Sequence, residues 1–157
     1  MKLINLPLLL LITLGSNFYV MAEEKVDHSH HHDASQQQIV LNHGEKWAID
    51  ESLHIGMTSI KQEITKHIDE IHYDRFTEPQ YAQLAGALNN QLNYLFENCK
   101  LPPEADAQLH ILLAQIAEGA GKMKQGNKKK QGAILVIKAL KDYPDYFNDP
   151  QWQALLH

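Results

Sequence analysis

From Asp50 onward the apolar residues recur every three or four positions, the spacing of helices that bury one face. Leu53, Met57, Ile60, Ile64, Ile68 and Ile71 predict a first helix over roughly 50–73, opened by Asp50 as N-cap. Tyr81, Leu84, Leu88, Leu92, Leu95 and Cys99 predict a second over roughly 78–99, with Pro79 in its first turn. Pro102-Pro103 closes the loop and opens a third, whose inward stripe is Ala105, Leu109, Leu112, Ile116, Ala120 and Met123. Gly126-Asn127 separates it from a fourth over roughly 128–142, with Ile134, Ile137 and Leu140 inward. Pro144 and Pro150 then predict an irregular cap around Tyr146, Phe147 and Trp152. No alternation of period two competes, so no strand is expected. Short connections favour antiparallel neighbours, which makes the expected fold all-α, an up-down-up-down four-helix bundle over 41–157.

The chain ahead of the helices has a different texture. Met1–Ala22 has a charged start at Lys2, an apolar run over Leu6–Leu14, and small residues in Val20-Met21-Ala22 before a cut ahead of Glu23. This reads as a cleaved secretory signal addressed to the bacterial periplasm, with an uncleaved anchor as the competing reading. The run is shorter than the ~20 residues a membrane span needs, and Gly15, Ser16 and Asn17 interrupt it. No membrane insertion is therefore expected after cleavage, and no cysteine follows that would take a lipid. Residues 23–40 are nearly devoid of residues to bury and are expected to be disordered. They hold His28, His30, His31 and His32 between Asp27 and Asp33, a donor set suited to Cu(II), Zn(II) or Ni(II). The plainer reading is a tract that only solvates the terminus.

Composition narrows the function classes. A formal charge of −5 over 157 residues argues against a nucleic-acid partner. A single cysteine excludes an internal disulfide framework and a Cys-rich zinc module. Ten histidines against 14 lysines and arginines direct attention to metal. Lys128-Lys129-Lys130 reads as a solvated charge run, with a docking patch for an acidic partner as the alternative.

In such a bundle the start of helix one, the end of helix two, the start of helix three and the end of helix four share one end. Met57, Cys99, His110 and His54 are placed toward it, joined by Tyr143, Tyr146 and the leading segment with His43 and Trp47. Thiolate, thioether and imidazole form a soft set suited to Cu(I), and the thiolate–imidazole pair would also accept Zn(II). Each member has a structural alternative: Met57 as core filler, Cys99 as an inert buried thiol, and His110 as a boundary residue bonded to Asp106 one turn earlier. His67 and His72 fall toward the opposite end, as surface residues.

The segments Leu41-Asn42-His43-Gly44-Glu45-Lys46-Trp47, Gly56-Met57 and Asn98-Cys99-Lys100-Leu101-Pro102-Pro103-Glu104-Ala105-Asp106, with Leu109-His110, resemble a family of small secreted proteobacterial helical proteins. Some members of that family accompany copper or heavy-metal handling, so the resemblance implies a secreted helical protein with metal-linked biology. The architecture is also similar to soluble b-type cytochromes, whose haem iron takes a methionine early in helix one and a histidine late in helix four. Met57 matches the first position. Asn148 and Asp149 stand near the second, and no histidine follows until His157. Haem would need Met57 with His110, and no Cys-x-x-Cys-His motif exists for covalent attachment.

An enzyme is not expected. There is no nucleophile elbow, phosphate loop or His-Glu-x-x-His pair, and a Cys99–His110 nucleophile and base would lack an oxyanion donor. The expected function is a periplasmic metal-binding protein, a copper buffer or chaperone in metal homeostasis or resistance. The alternative is a non-catalytic envelope module for a periplasmic protein partner, with a structural Cys99 and incidental histidines.

Overall fold

A computed structural model describes residues 38–155. The signal segment and the His28, His30, His31 and His32 cluster lie outside the described residues. The described chain is mostly helical: β1 (Trp47–Ala48), α1 (Glu51–Thr65), α2 (Ile68–His72), α3 (Glu78–Asn98), α4 (Pro103–Lys124), α5 (Lys129–Tyr146) and β2 (Phe147–Asn148). Helix α1 packs on α3, α3 on α4, α4 on α5, and α5 returns to α1. Among the described residues no helix is long and apolar enough to cross a membrane.

The apolar stripes of α3 and α4 are buried as their spacing predicts. Leu84, Leu88, Leu92 and Leu95 face Leu109, Leu112, Ile116 and Met123 in one continuous core. Two local signals start these helices. Thr77 and Gln80 form a capping box at α3, and Pro103 stands at the first position of α4, where its missing N–H has no partner to lose.

The first helix departs from expectation, because 50–73 is not one helix but two. Ser59 and Thr65 turn their hydroxyls back onto the carbonyls of Ile55 and Lys61, contacts that bend a helix. At His67 (φ −122°, ψ 2°) the helical backbone breaks, with the His67 N–H donating to the Ile64 carbonyl. The break keeps the period intact, so Ile64, Ile68 and Ile71 all remain inward. Asp74, at φ 55°, then ends α2.

The fourth helix also differs. It continues through Pro144 to Tyr146, past the expected end near 142. Proline there removes one backbone donor in the last turn. Tyr143 and Phe147, stacked 5.4 Å apart and both buried, hold that turn in place. Leu140 is buried as expected and Ile137 partly so, but Ile134, expected inward, is 51% exposed, and Ala133, Val136 and Ala139 take the core beside Leu140. The facing is set by contact with α4: a Cβ on Gly119 would lie 2.6 Å from the Gly132 carbonyl oxygen, so the two backbones touch there. Lys130 is not simply solvated either. Its ammonium donates to Asp74 (2.7 Å) and to the His72 carbonyl (3.0 Å), tying the start of α5 to the α2–α3 loop.

A short parallel pair, Trp47 beside Phe147 and Ala48 beside Asn148, is the element the sequence pattern did not announce. It is fed by a tight turn with His43 (φ 50°) and Gly44 (φ 92°), across which Asn42 and Glu45 exchange backbone hydrogen bonds. The helical domain also takes in Ile39 and Val40. Ile39 packs on the core, and Val40 donates to the Gln108 side chain and accepts from the Trp47 indole.

Candidate functional site

The start of α1, the end of α3, the start of α4 and the chain after α5 come together around two carboxylates. Asp50 caps α1, one oxygen accepting the Leu53 N–H at 2.7 Å. The other accepts the Lys100 N–H at 2.6 Å, so one side chain secures the start of α1 and the residue after the α3 cap.

Cys99 is that cap. Its backbone is extended (φ −64°, ψ 137°), and the side chain is half-buried against the core. Burial pushes the thiol up to about 12, and the negative charges of Asp50 and Asp106 act the same way; Lys100 opposes them. A hydrogen bond with Asp50 holds the proton further. At neutral pH Cys99 is a protonated thiol, a poor nucleophile and a poor ligand.

Asp149, just past β2, has only 1% of its side chain exposed. A carboxylate buried this far needs donors, and it has three. His54 Nδ1 lies 2.9 and 3.0 Å from its two oxygens, the Tyr143 hydroxyl donates at 3.2 Å, and the Gln151 N–H at 3.1 Å. An ionised carboxylate only accepts, so His54 carries a proton on Nδ1 and its Nε2 is left for another partner. Burial raises the Tyr143 pKa, followed by the charge of Asp149 and the hydrogen bond to it, then by Cys99 and Asp50. These electrostatic ties join Asp50, Cys99, Tyr143, Asp149 and His54 in one polar junction.

The four residues expected to converge are therefore divided. Cys99 and His54 belong to the junction. Met57, one turn beyond His54, is wholly enclosed by core, and Gly56 beside it presses its backbone on Leu95. His110 stands on the outer surface, its side chain 55% exposed, with Nδ1 2.9 Å from the Asp106 carbonyl and 3.3 Å from its carboxylate. Its ring lies 5.7 Å from exposed Phe96. Among the described residues no group of three or more His, Cys, Asp or Glu is placed to hold a metal ion. Haem between Met57 and His110 does not fit, because one side chain is sealed inside the core and the other faces solvent.

Two members of the junction escaped the sequence reading. Asp50 was legible as an N-cap, but its bond to Lys100 spans 50 residues. Asp149 was legible only as a residue near the late position of the fourth helix, not as a partner of His54. Beyond it, Trp152 packs edge-on to Tyr143 at 4.7 Å, with the Lys61 ammonium 4.5 Å above its ring. The Trp152 indole nitrogen is buried without a hydrogen-bond partner. No protein-family model, curated protein or solved structure matches this chain.

Proposed function

We propose that this is a non-enzymatic, metal-binding protein of the periplasm, exported by residues 1–22, that buffers or delivers copper. Metal capture is assigned to His28, His30, His31 and His32 between Asp27 and Asp33, and that cluster is the observation that carries the reading. Neutral imidazoles and carboxylates at this density suit Cu(II), with Zn(II) as competitor. In this reading α1, α3, α4 and α5 form an antiparallel up-down-up-down bundle that carries the capture segment. The Leu41–Trp47 and Asn98–Asp106 segments resemble a family of small secreted proteins, some of which accompany metal handling, and that resemblance supports it.

The helical domain lends less to a Cu(I) site. Met57 is enclosed, the Cys99 thiol resists ionisation, His54 is engaged with Asp149, and His110 stands apart. The test is titration of the full chain with Cu(II), Zn(II) and Cu(I) against competing chelators. Beside it, a variant with all four tail histidines replaced by alanine would be measured. The variant is expected to bind Cu(II) at least about tenfold more weakly, and the wild-type affinity to fall as pH drops below about 6.5, where imidazoles protonate. Equal Cu(II) affinity in the two proteins would overturn the assignment.

The protonated, hydrogen-bonded Cys99 favours a second reading, a module that docks an envelope protein and uses the thiol structurally. Thiol labelling separates the two: a thiol inert with and without metal supports the module, whereas a reactive thiol that Cu(I) protects supports a site in the helical domain.

A further inference from the structure

One face of α1 and the segment 151–153 enclose an open groove of ≈ 650 Å³. Its α1 side is the polar stripe beside the buried one, with His54, Thr58 and Lys61 and, at the C-cap, Lys66, and Gln151 and Gln153 lie across from them. Every ionisable side chain lining the groove is basic. That runs against the composition of a chain with 19 acidic residues and a net charge of −5.

The nearest buried carboxylate, Asp149, lies behind His54 rather than in the groove, and it fixes the Nδ1 proton so that Nε2 is free for a ligand. Lys61 is already positioned: its ammonium donates to the Gln153 carbonyl at 2.8 Å and sits over Trp152. Lys66 has one partner, the partly buried Glu63 at 2.7 Å, and a side chain 58% exposed that can exchange that partner for a stronger one. A cation would meet two ammonium groups here. An oxyanion would meet two ammoniums and neutral amides and hydroxyls; His54 adds a donor at Nε2 only as the imidazolium, because its Nδ1 proton already serves Asp149.

We propose that this groove binds a small oxyanion, a phosphate or a carboxylate, between Lys61 and Lys66, beside His54. Metal capture by the tail histidines and anion binding here use different residues, so either can fail without the other. Trp152 provides the readout, because an anion that draws on Lys61 changes the charge over its ring. The full chain carrying Trp47→Phe, which leaves Trp152 as its one indole, would be titrated with inorganic phosphate and, separately, with citrate. Chloride at matched ionic strength serves as the control.

A saturable change in Trp152 emission is expected with one or both probes and not with chloride. Saturation by phosphate alone assigns a phosphate ligand, and saturation by citrate alone a carboxylate. Lys66→Gln should weaken binding about tenfold, the loss of one charge-assisted contact, without moving the thermal midpoint. No saturable change with either probe, or equal affinity in wild type and Lys66→Gln, would overturn the proposal.

Discussion

The α4–α5 seam and the polar junction at the start of α1 hold the molecule by opposite means. At the seam, Gly119 and Gly132 bring two backbones into contact, flanked by Ala120, Ala133 and Val136, all buried and apolar. The contacts there are backbone and apolar, and their stability depends on shape. At the junction, Asp50 and Asp149 collect seven contacts among them from backbone N–H groups, an imidazole, a phenol and a thiol. Stability there depends on protonation and on each donor keeping its acceptor. The seam should therefore tolerate changes of pH and resist changes of side-chain volume, and the junction should do the reverse.

The largest effect is expected at the seam. Gly132→Val would drive a branched side chain into the Gly119 carbonyl and the Met123 N–H, which are backbone and cannot rotate away. Overpacking of this kind costs about 3 kcal/mol or more where the obstacle is rigid, read as a lower urea midpoint. A change under a few tenths of that would show that the α4–α5 contact is loose and that the contrast with the junction is false.

A smaller loss is expected from Asp149→Ala. It leaves the buried Tyr143 hydroxyl and the His54 imidazole without their acceptor, at about 2 kcal/mol for the stranded donors. The same variant should loosen residues 151–153 first, so amide exchange at Gln151 should accelerate before exchange in α4. Uniform acceleration would mean that the junction is no more local than the seam.

The smallest and most gradual effect is alkaline. The Cys99 thiol rises from an ordinary 9.0 to about 12 in the folded chain, through burial first and then Asp50 and Asp106. Between those values the unfolded chain releases the proton and the folded chain keeps it, so stability falls as pH increases. The contribution is fully present below about 9 and is lost as pH rises through about 12. The thiol is half-buried, so solvent screening keeps the loss below what the shift alone implies. Tyr143, shifted in the same direction, adds to the slope. Cys99→Ser should flatten the alkaline limb of a pH–stability curve and leave the limb below neutrality unchanged. An unchanged alkaline limb would remove Cys99 from the junction.

Burial by period was legible wherever a stripe faced a stripe. The inward residues of α3 and α4 follow from spacing alone, because a helix with one apolar face has one way to hide it. Spacing was insufficient at α5, where isoleucine at 134 is as apolar as its neighbours and only the glycine contact with α4 decides which side turns inward. It was insufficient again for the candidate site. Met57 and His54 are three residues apart, yet one faces the core and the other the junction. The residue that fixes His54 lies 95 positions away.

The sequence by itself determined that the described chain is mostly helical and where its long helices begin. Those properties are local: capping, periodicity and composition act within a few residues. Tertiary structure alone decided that the first helix breaks at His67 and that Trp47 pairs with Phe147. It also decided that Cys99 keeps its proton and that Asp149 orients His54. Each of these depends on a partner that chain folding, and no neighbour in sequence, brings within hydrogen-bonding or Coulombic reach.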